Sequence, residues 1–346
     1  MRVDLLKKTD ELQYQEFVQS HPAGMLYYDL KWCDVLLMLT GARPLYMVCK
    51  EAEEIVGIMP AFMAETAFGN VINALPFYGC HGEPLVVEHA PAARKLLLNF
   101  FDSLARDHRC LASTFITNPF EDNFSPDDDY KPTHLDTRIG QVTELAMVNG
   151  DETLLQQFEG RTRTAIRKAE KEGIEWCVEK DGSILPHVYE LHHQNISDLG
   201  GVSKPARFFE LVKENFKYGA DYEVLTACKD DEKIAFLLLF YYKDTVEYYT
   251  PCVKKGYRQL QPLSLLIYEG MRRAHAKGCK KWNFGGTWKT QAGVYQFKKS
   301  WGAKDFSYYY YVRVYDDRIK KMAASELVKE FPYFYVLPFH ELEASS

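Results

Sequence analysis

The sequence lacks the features that mark membrane and secreted proteins. It has no run of about 18 uncharged apolar residues. Its longest apolar stretch, IAFLLLFYY at residues 234–242, has the length of a buried strand. The N-terminal stretch MRVDLLKKTDE contains no apolar block of the kind that signal peptides carry. We therefore expect no membrane-spanning helix, and we expect a cytoplasmic protein.

Metal-ligand spacing is missing as well. The eight cysteines are scattered without a Cys-x-x-Cys pair, and His192 and His193 are adjacent, with no cysteine or aspartate pair at a chelating interval from them. The sequence thus predicts reduced thiols, no metal site and no resident cofactor.

The chain has ample material for a buried core. Apolar residues make up 47% of its 346 residues and aromatic residues 14%, which excludes bulk disorder. A chain of this length exceeds the size at which one core usually stops growing, so two domains are expected.

Charge is distributed unevenly along the chain. The net charge is −6, yet residues 251–304 hold 12 Lys or Arg against one acidic residue, Glu269, a balance of +11. Residues 1–150 hold 12 basic and 21 acidic residues, a balance of −9. A basic block inside a patterned segment indicates a phosphate-binding face. The alternative is a solvated face whose acidic partners come from elsewhere in the fold.

Both halves of the chain show the same order of predicted elements. In the first half, strand patterns at 44–50 and 54–65 precede a helical pattern that begins at Pro91 and leads to the strand-like LASTFIT at 111–117.

In the second half, EKIAFLLLFYY and VEYYTPCV flank the pair Lys243-Asp244 and predict a hairpin. Pro262 then begins a helix, KKWNFGG forms the next strand, and the last strand alternates from Phe306 to Tyr315. The repeated order predicts a duplicated α/β unit with a mixed sheet.

A connector and a basic helix separate the halves. Residues 118–137 are rich in Asp, Pro and Asn, Asp151 is a plausible N-cap, and the helix RTRTAIRKAEKEG ends at Gly173. Arg163 and Arg167 share one face of that helix. The face predicts a second phosphate clamp; the alternative is an exposed charged helix with local acidic partners.

Three stretches resemble the FemAB family, whose members consist of two GNAT acyltransferase folds. They are HPAGMLYYDLKW (21–32), RTRTAIRKAEKEGI (161–174) and, most specifically, NFGG…GVYQFKKSWGA (283–303). The resemblance implies an α/β protein with mixed sheets and two tandem GNAT-like domains. Residues 1–145 would form the acceptor side, and residues 146–346 the donor side with catalysis.

The resemblance also implies a reaction. FemAB members attach an aminoacyl or other acyl group to an amine, often on a nucleotide-linked cell-wall precursor, and many take it from aminoacyl-tRNA, whereas GNAT relatives use acyl-CoA. We therefore expect direct transfer from one of these co-substrates to a primary amine of a small cell-envelope or nucleotide-sugar precursor. The alternative is a non-catalytic module that binds a phosphorylated ligand through the basic face. A nucleic-acid-binding protein proper is disfavoured by the overall acidity.

The expected donor site departs from the GNAT pattern. GNAT proteins carry [RQ]xxGx[GA] before their first long helix, so that bare amides cradle a pyrophosphate, whereas this chain has RQLQPLS (258–264). Arg258 is kept, but the glycines are absent and Pro262 removes an amide donor, which argues against tight CoA binding of the usual kind. Lys254, Lys255, Arg258 and Ser264 remain candidates for holding a donor phosphate.

Lys298 is the main catalytic candidate. GNAT proteins often carry a Tyr four residues before a glycine of their last helix, and Lys298 stands four residues before Gly302. The resemblance assigns it to stabilising the oxyanion or the leaving group, which can contribute on the order of 3 kcal/mol. Lys299 points about 100° away around the helix. Phe297 and Trp301, four residues apart, are expected to pack the helix onto the sheet.

The other candidates surround this lysine in the expected fold. Gly285 and Gly286 let a substrate lie against the backbone, or form an ordinary turn. Glu247 and Tyr249 lie on the central strand, as candidate catalytic groups for proton transfer. Cys252 is not expected to be a nucleophile, because no His-Asp pattern accompanies it.

Candidate acceptor residues come from both halves. Tyr27, Trp32 and Tyr78 would line the acceptor site, although aromatic residues at this density are also typical of a core. Arg163 and Arg167 complete this predicted set.

Overall fold

The computed structural model describes residues 1–77, 79–121, 130–287 and 291–338. The chain divides into two compact units: unit 1 comprises Met1–Arg138 with Ser307–Ser346, and unit 2 comprises Ile139–Phe306. The sequence analysis placed the division at residues 145 and 146 and left the whole C-terminal part in the second half. The structure differs because a late strand pairs with a strand of unit 1. In the described ranges, no helix is long and apolar enough to cross a membrane.

Unit 1 is a mixed α/β unit. Its helices are α1 (Glu11–Ser20), α2 (Leu30–Thr40), α3 (Ala92–Asp107) and α10 (Ala324–Glu330). Its strands are β1 (Arg2–Leu5), β2 (Arg43–Pro44), β3 (Met47–Glu51), β4 (Glu54–Met59), β5 (Phe62–Glu65), β6 (Asn70–Ala74), β7 (Leu85–Val86) and β8 (Cys110–Ile116). Two further strands, β9 (His134–Glu144) and β15 (Lys304–Val314), contain the points at which the chain passes from one unit to the other.

Helix α3 gives unit 1 its core. It connects β6 to β8, and these two strands are parallel, whereas β5 pairs with β6 and β15 pairs with β8 in antiparallel fashion. The apolar face of α3 packs into a cluster with the strand residues, with Phe101 and Phe115 fully buried. This order of hairpin, helix and parallel strand is the one predicted for the first half.

Unit 2 repeats that order. Its helices are α4 (Asp151–Gln157), α5 (Gly160–Lys171), α6 (Leu185–Ser197), α7 (Ala206–Asn215), α8 (Pro262–Ala276) and α9 (Ala292–Lys299). Its remaining strands are β10 (Glu175–Val178), β11 (Tyr222–Lys229), β12 (Glu232–Tyr242), β13 (Thr245–Val253) and β14 (Lys281–Thr287). Asp151 is the first residue of α4 rather than its cap, because Gly150 takes the N-cap position.

The hairpin and the crossover helix of unit 2 agree with their sequence signals. Strands β12 and β13 are antiparallel around Lys243-Asp244, and Lys243 has a φ of 53°. Helix α8 begins at Pro262, which fits the first helical position because its missing N–H would have no helical partner there. It returns the chain to β14, which is parallel to β13. The mixed sheet and the duplicated unit predicted from the sequence are thereby confirmed.

Candidate active site

Strands β13 and β14 form a fork. They pair only between Thr245–Glu247 and Lys281–Asn283, although β13 continues to Val253 and β14 to Thr287, all within the described residues. On its other edge β14 pairs with β9 from Lys281 to Thr287, and that pairing has an irregularity between Asn283 and Gly286. Ligands of α/β sheets bind where strands diverge at their carboxyl ends, so the fork is a candidate reaction site.

Hydrogen bonds tie the predicted catalytic residues together at the fork. The carboxylate of Glu247 is buried and accepts a bond of 2.9 Å from the Asn283 side-chain amide. The Asn283 side-chain oxygen accepts one of 2.8 Å from the Gly285 N–H. Gly285 has a φ of 69°, in the left-handed region that glycine enters without strain. The Gly285-Gly286 pair therefore forms a bend in the last part of β14.

Lys298 lies against that bend. Its side chain is buried, with 6% of its surface exposed, and its Nζ donates to the carbonyl oxygens of Gly285 (3.2 Å) and Gly286 (2.8 Å). Burial lowers the pKa of Lys298 to about 8. No carboxylate of the described residues forms an ion pair with the ammonium, so nothing offsets this effect of burial. The ammonium is thus held in place by neutral carbonyls and keeps its positive charge available for a reacting group.

The helix that carries Lys298 is fixed on both sides. Trp301 is buried in the core of unit 2 and Phe297 packs beside it, with ring centroids 6.3 Å apart, as expected from their spacing. Gly302, three residues after the end of α9, has a φ of 73°, and a side chain there would meet the backbone oxygen of Gln157 at 2.8 Å. The orientation of Lys298 therefore depends on packing at both neighbours.

Tyr249 lies on β13 at a bulge. The pairing with β12 shifts between Leu238 and Leu239, and Tyr249 is the extra residue. Its ring stacks on Phe208 of α7 at 5.5 Å and meets Phe240 edge-on at 5.0 Å.

The ammonium of Lys204, a residue that the sequence analysis did not single out, lies 4.8 Å from the centre of the Tyr249 ring. Burial lowers the pKa of Lys204 to about 8. The sequence could not have indicated this contact, because a lysine in a polar loop shows no pattern that predicts burial or a ring partner.

A cleft of about 470 Å³ opens at the N-terminus of α8. It lies between α5, α8 and α9, and its basic residues are Arg161 and Lys168. Its other lining residues are Thr162, Thr164, Ala165, Gln261, Ser264, Gly293, Gln296, Phe297, Ser300 and Trp301. Lys298 does not line it, but its neighbour Phe297 does.

The basic helix presents a different face from the one predicted. Arg161 and Lys168 line the cleft, whereas Arg163 and Arg167 do not. Arg163 donates to the carbonyl oxygens of Leu155 (3.4 Å) and Phe158, where α4 ends. Arg167 is exposed. Spacing predicted which residues share a face but not which face meets the cleft.

The predicted donor residues are divided between the cleft and the surface. Ser264 is buried, lines the cleft and bonds Gln261 at 3.1 Å. Lys254 forms an ion pair with Glu232 at 2.5 Å, Lys255 approaches Asp198 at 3.7 Å, and Arg258 is exposed.

Two of the first three residues of α8 offer no free amide. The Ser264 amide bonds to the Gln261 carbonyl, and Pro262 has no N–H. This agrees with the missing loop glycines, since little of an amide cradle remains for an anion.

Most of the basic block has acidic partners. At least seven of its twelve basic residues form ion pairs with acids, most of them outside the block: Lys254, Lys255, Arg272, Arg273, Lys277, Lys280 and Lys299. Glu223 is buried and accepts from Arg273 at 2.7 and 2.8 Å and from Lys277 at 2.8 Å. The alternative interpretation, a face neutralised from elsewhere in the fold, holds for these residues.

Two of the three predicted aromatic acceptor residues, Tyr27 and Trp32, are core residues of unit 1. Trp32 is fully buried and donates to the Cys80 sulfur at 3.3 Å, and Tyr27 packs edge-on against it at 5.5 Å. Tyr78 lies outside the described residues. Within the described ranges, no group of three or more His, Cys, Asp or Glu side chains is arranged to hold a metal ion.

Comparisons with known proteins agree with this architecture. Residues 156–299 match the family model described as an acetyltransferase (GNAT) domain. The crystal structure of FemX is similar, with a TM-score of 0.68 and 16% identity, over 92% of this chain and 98% of that chain. No curated protein sequence matches this chain.

Two further solved structures share the fold. One is the C-terminal domain of a putative lysylphosphatidylglycerol synthetase from Agrobacterium fabrum, with a TM-score of 0.56 and 13% identity, over 95% of this chain and 98% of that chain. The other is a tandem GNAT protein from the clavulanic acid biosynthesis pathway, with a TM-score of 0.53 and 10% identity, over 90% of this chain and 98% of that chain. Together the structural matches confirm a duplicated GNAT fold, and the acetyltransferase (GNAT) domain model matches a segment that lies within unit 2.

Proposed function

We propose that this chain, which carries a GNAT acyltransferase domain in a duplicated fold, moves an activated aminoacyl or acyl group onto a primary amine of a cell-envelope or nucleotide-sugar precursor. The observation that carries the proposal is the buried ammonium of Lys298, held 2.8 Å from the Gly286 carbonyl at the end of the strand that forms one arm of the fork.

The chemistry needs a cation at this point. When an amine attacks an ester or thioester, negative charge builds on the carbonyl oxygen and then passes to the leaving oxygen or sulfur. A preorganised donor in a site shielded from water stabilises that charge far more than water-exposed lysine does. Lys298 is suited to this role because its two partners are neutral carbonyls, which orient the ammonium without cancelling its charge.

Proton removal from the attacking amine is assigned to Glu247. Its buried carboxylate lies where the two strands separate, oriented by the 2.9 Å bond from Asn283. A carboxylate positioned by a second group is the usual form of a general base. Tyr249, on the same strand, lines the same side of the sheet and is proposed to position the amine.

The donor is proposed to lie in the cleft at α8 with its acyl end at the fork. The Ser264 amide already bonds to the Gln261 carbonyl and Pro262 has no N–H, so little of a pyrophosphate cradle remains at the start of α8. Lys168 and Arg161 offer side-chain charges instead, although Arg161 also forms an ion pair with Glu159 at 2.9 Å. This arrangement supports a donor whose phosphates are met by side chains, such as aminoacyl-tRNA, over acyl-CoA bound in the usual GNAT manner.

A direct assay tests the proposal. The protein is incubated with radiolabelled acyl-CoA or aminoacyl-tRNA and with amine-bearing nucleotide-sugar precursors, and product is measured for the wild type, Lys298→Met and Lys299→Met. Lys299 is the matched control because it is the neighbouring lysine, partly exposed and paired with Asp305 at 3.3 Å. We expect loss of transfer in Lys298→Met alone. Absence of transfer from both donors, or full activity of Lys298→Met, excludes the proposal.

The same assay separates a second candidate, a non-catalytic module that binds a phosphorylated ligand. The occupied amides at α8 favour it, since they leave the donor loop without its usual function. Such a module would show ligand binding without transfer, and Lys298→Met would change affinity only.

A further inference from the structure

Lys204 is a half-buried lysine of unit 2 to which the proposed reaction assigns no role. It stands in the loop between α6 and α7, and its Nζ lies over the ring of Tyr249 at 4.8 Å. The loop is fastened from both sides: the Lys204 backbone N–H donates to His192 Nε2 at 3.3 Å, and Ser203 bonds His193 Nδ1 at 2.8 Å. Lys204 is therefore held in place rather than free on the surface.

The ammonium of Lys204 has no anionic partner in the part of the chain that the structure describes. An ammonium has three donors, and a ring face satisfies none of them as an oxygen does. Two titratable groups near it, His192 and Cys252, are held in their neutral forms. Burial lowers the pKa of His192 to about 3 and raises that of the Cys252 thiol to about 12. A half-buried cation among neutral groups favours binding of an anion.

The side of the sheet on which Lys204 lies indicates which substrate meets it. Tyr248 packs with Trp282 and Phe284 against the core cluster to which α8 contributes. The next residue, Tyr249, packs on Phe208 of α7, on the opposite face. The cleft at α8 and the ammonium of Lys204 are therefore on opposite faces of β13, and the fork opens between them.

This separation fits direct transfer. The amine must approach the carbonyl carbon from outside the plane of the donor's ester or thioester, with the reacting atoms about 3–3.5 Å apart. A donor seated at α8 leaves the opposite face of the fork to the acceptor. Glu247 faces that side, two residues from Tyr249 and so about 7 Å away along the strand.

We propose that Lys204 is an acceptor-binding residue, and that the acceptor carries a carboxylate or a phosphate close to its primary amine. The anion would sit on the Lys204 ammonium beside the Tyr249 ring, with the amine directed toward Glu247 and the fork. This inference rests on the proposed function for the role of the acceptor. It adds to acceptor recognition a residue of unit 2 that the sequence analysis did not include among its acceptor candidates.

A binding experiment tests the inference without requiring catalysis. The full chain is labelled with ¹³C at the ε-carbon of lysine, and the Lys204 signal is assigned by its loss in Lys204→Arg. Three small amines are titrated at pH 7.5: glycine with a carboxylate, O-phosphoethanolamine with a phosphate, and neutral ethanolamine. Lys255 is the internal control, because its side chain is 80% exposed and its ammonium already lies 3.7 Å from the carboxylate of Asp198.

We expect a saturable shift of the Lys204 signal with glycine or with O-phosphoethanolamine, and the stronger of the two identifies the anion. A bound anion also raises the pKa of Lys204 from about 8 toward that of an ordinary lysine. Ethanolamine should not move the signal. No saturable shift with either anionic amine, an equal shift with ethanolamine, or an equal movement of Lys255 overturns the inference.

A kinetic arm separates binding from a purely structural role. Lys204→Met should raise the KM for the acceptor at least tenfold and leave the KM for the donor unchanged. If Lys204 only supported the Tyr249 and Phe208 stack, the variant would lower the melting temperature and disturb both constants together. Because the titration needs no turnover, failure of the inference stays distinguishable from failure of the proposed function.

Discussion

The ammonium of Lys298 lies 2.8 Å from the carbonyl oxygen of Gly286 and 3.2 Å from that of Gly285. A helix and a strand end are thereby joined through one buried charge whose partners are neutral. Three consequences follow from this contact: for the rate, for its dependence on pH and for the stability of unit 2.

The pH profile of transfer should show the ionisation of Lys298. If the ammonium stabilises developing negative charge, the rate falls as the pH rises through about 8, where Lys298 loses its proton. Lys298→Arg keeps its charge at this pH. Its rate should therefore show no decline near pH 8, although its maximum is lower because the larger group fits less well. A measured kcat profile from pH 6 to 10 for both proteins checks this, and an unchanged decline in the arginine variant would assign it to another group.

Removal of the Lys298 amine by Lys298→Met should lower the kcat of transfer about 100- to 1,000-fold, which is the range measured for loss of one oxyanion-hole donor. The same substitution at Lys299 should leave kcat within about twofold. Single-turnover rates with saturating donor give the comparison, because they separate chemistry from product release. Equal losses of kcat in the two variants would show that transfer depends on the total positive charge of this helix and not on the position of Lys298.

The same group should make stability depend on pH. Burial lowers the folded pKa of Lys298 from 10.5 to about 8, so between these values the unfolded chain binds a proton that the folded chain does not. The unfolding free energy of the wild type, relative to Lys298→Met, should rise from pH 8 to pH 10.5, by on the order of 3 kcal/mol. Below pH 8 the difference should be constant. Urea unfolding of both proteins at pH 7 and pH 10 measures it, and a difference that does not change with pH contradicts a buried, charged Lys298.

The cleft at α8 should depend on two charges of one helix face. Replacement of Arg161 and Lys168 by Gln is expected to raise the donor KM about tenfold or more, since each charged hydrogen bond to phosphate contributes about 1.5–3 kcal/mol. The matched control replaces Arg167 and Lys171 by Gln, which removes the same charge from exposed positions. Similar KM values for the two double variants would exclude the cleft as the donor site.

Glu223 should stabilise unit 2 by neutralising two cations. Burial alone would raise its pKa, but the bonds from Arg273 and Lys277 outweigh this and lower it. Glu223→Gln should cost about 2 kcal/mol, less than the roughly 3–5 kcal/mol of fully buried pairs, because Arg273 is itself 37% exposed.

The pH dependence of this pair follows from the direction of the shift. The contribution of Glu223 is complete above the unfolded pKa and is lost as the pH falls through the lowered folded pKa. The control is Glu210→Gln, which removes the carboxylate partner of Arg207. Because the Glu210 side chain is 59% exposed, this change should alter the free energy of unfolding by less than about 0.5 kcal/mol. Equal urea midpoints for the two variants at pH 7 would contradict the role of Glu223.

Local patterning was sufficient for the elements that form the fork. The alternation of β12 and β13 around Lys243-Asp244, the proline that begins α8 and the FK spacing before Gly302 act over a few residues, and each appears in the structure where the pattern predicted it. The family resemblance carried by the last of these stretches then predicted the duplicated fold.

Long-range packing decided the rest, because sequence spacing says which residues share a face but not what the face meets. Arg161, rather than Arg163, lines the cleft because α5 rotates its apolar face onto α8. Trp32 and Tyr27 are buried in the core of unit 1, because burial of their rings stabilises the fold. The neutralised basic block, the return of Ser307–Ser346 to unit 1 and the Lys204 ammonium over Tyr249 all join residues far apart in the chain. Contacts of that kind depend on how helices and strands come together, and local composition carries no trace of them.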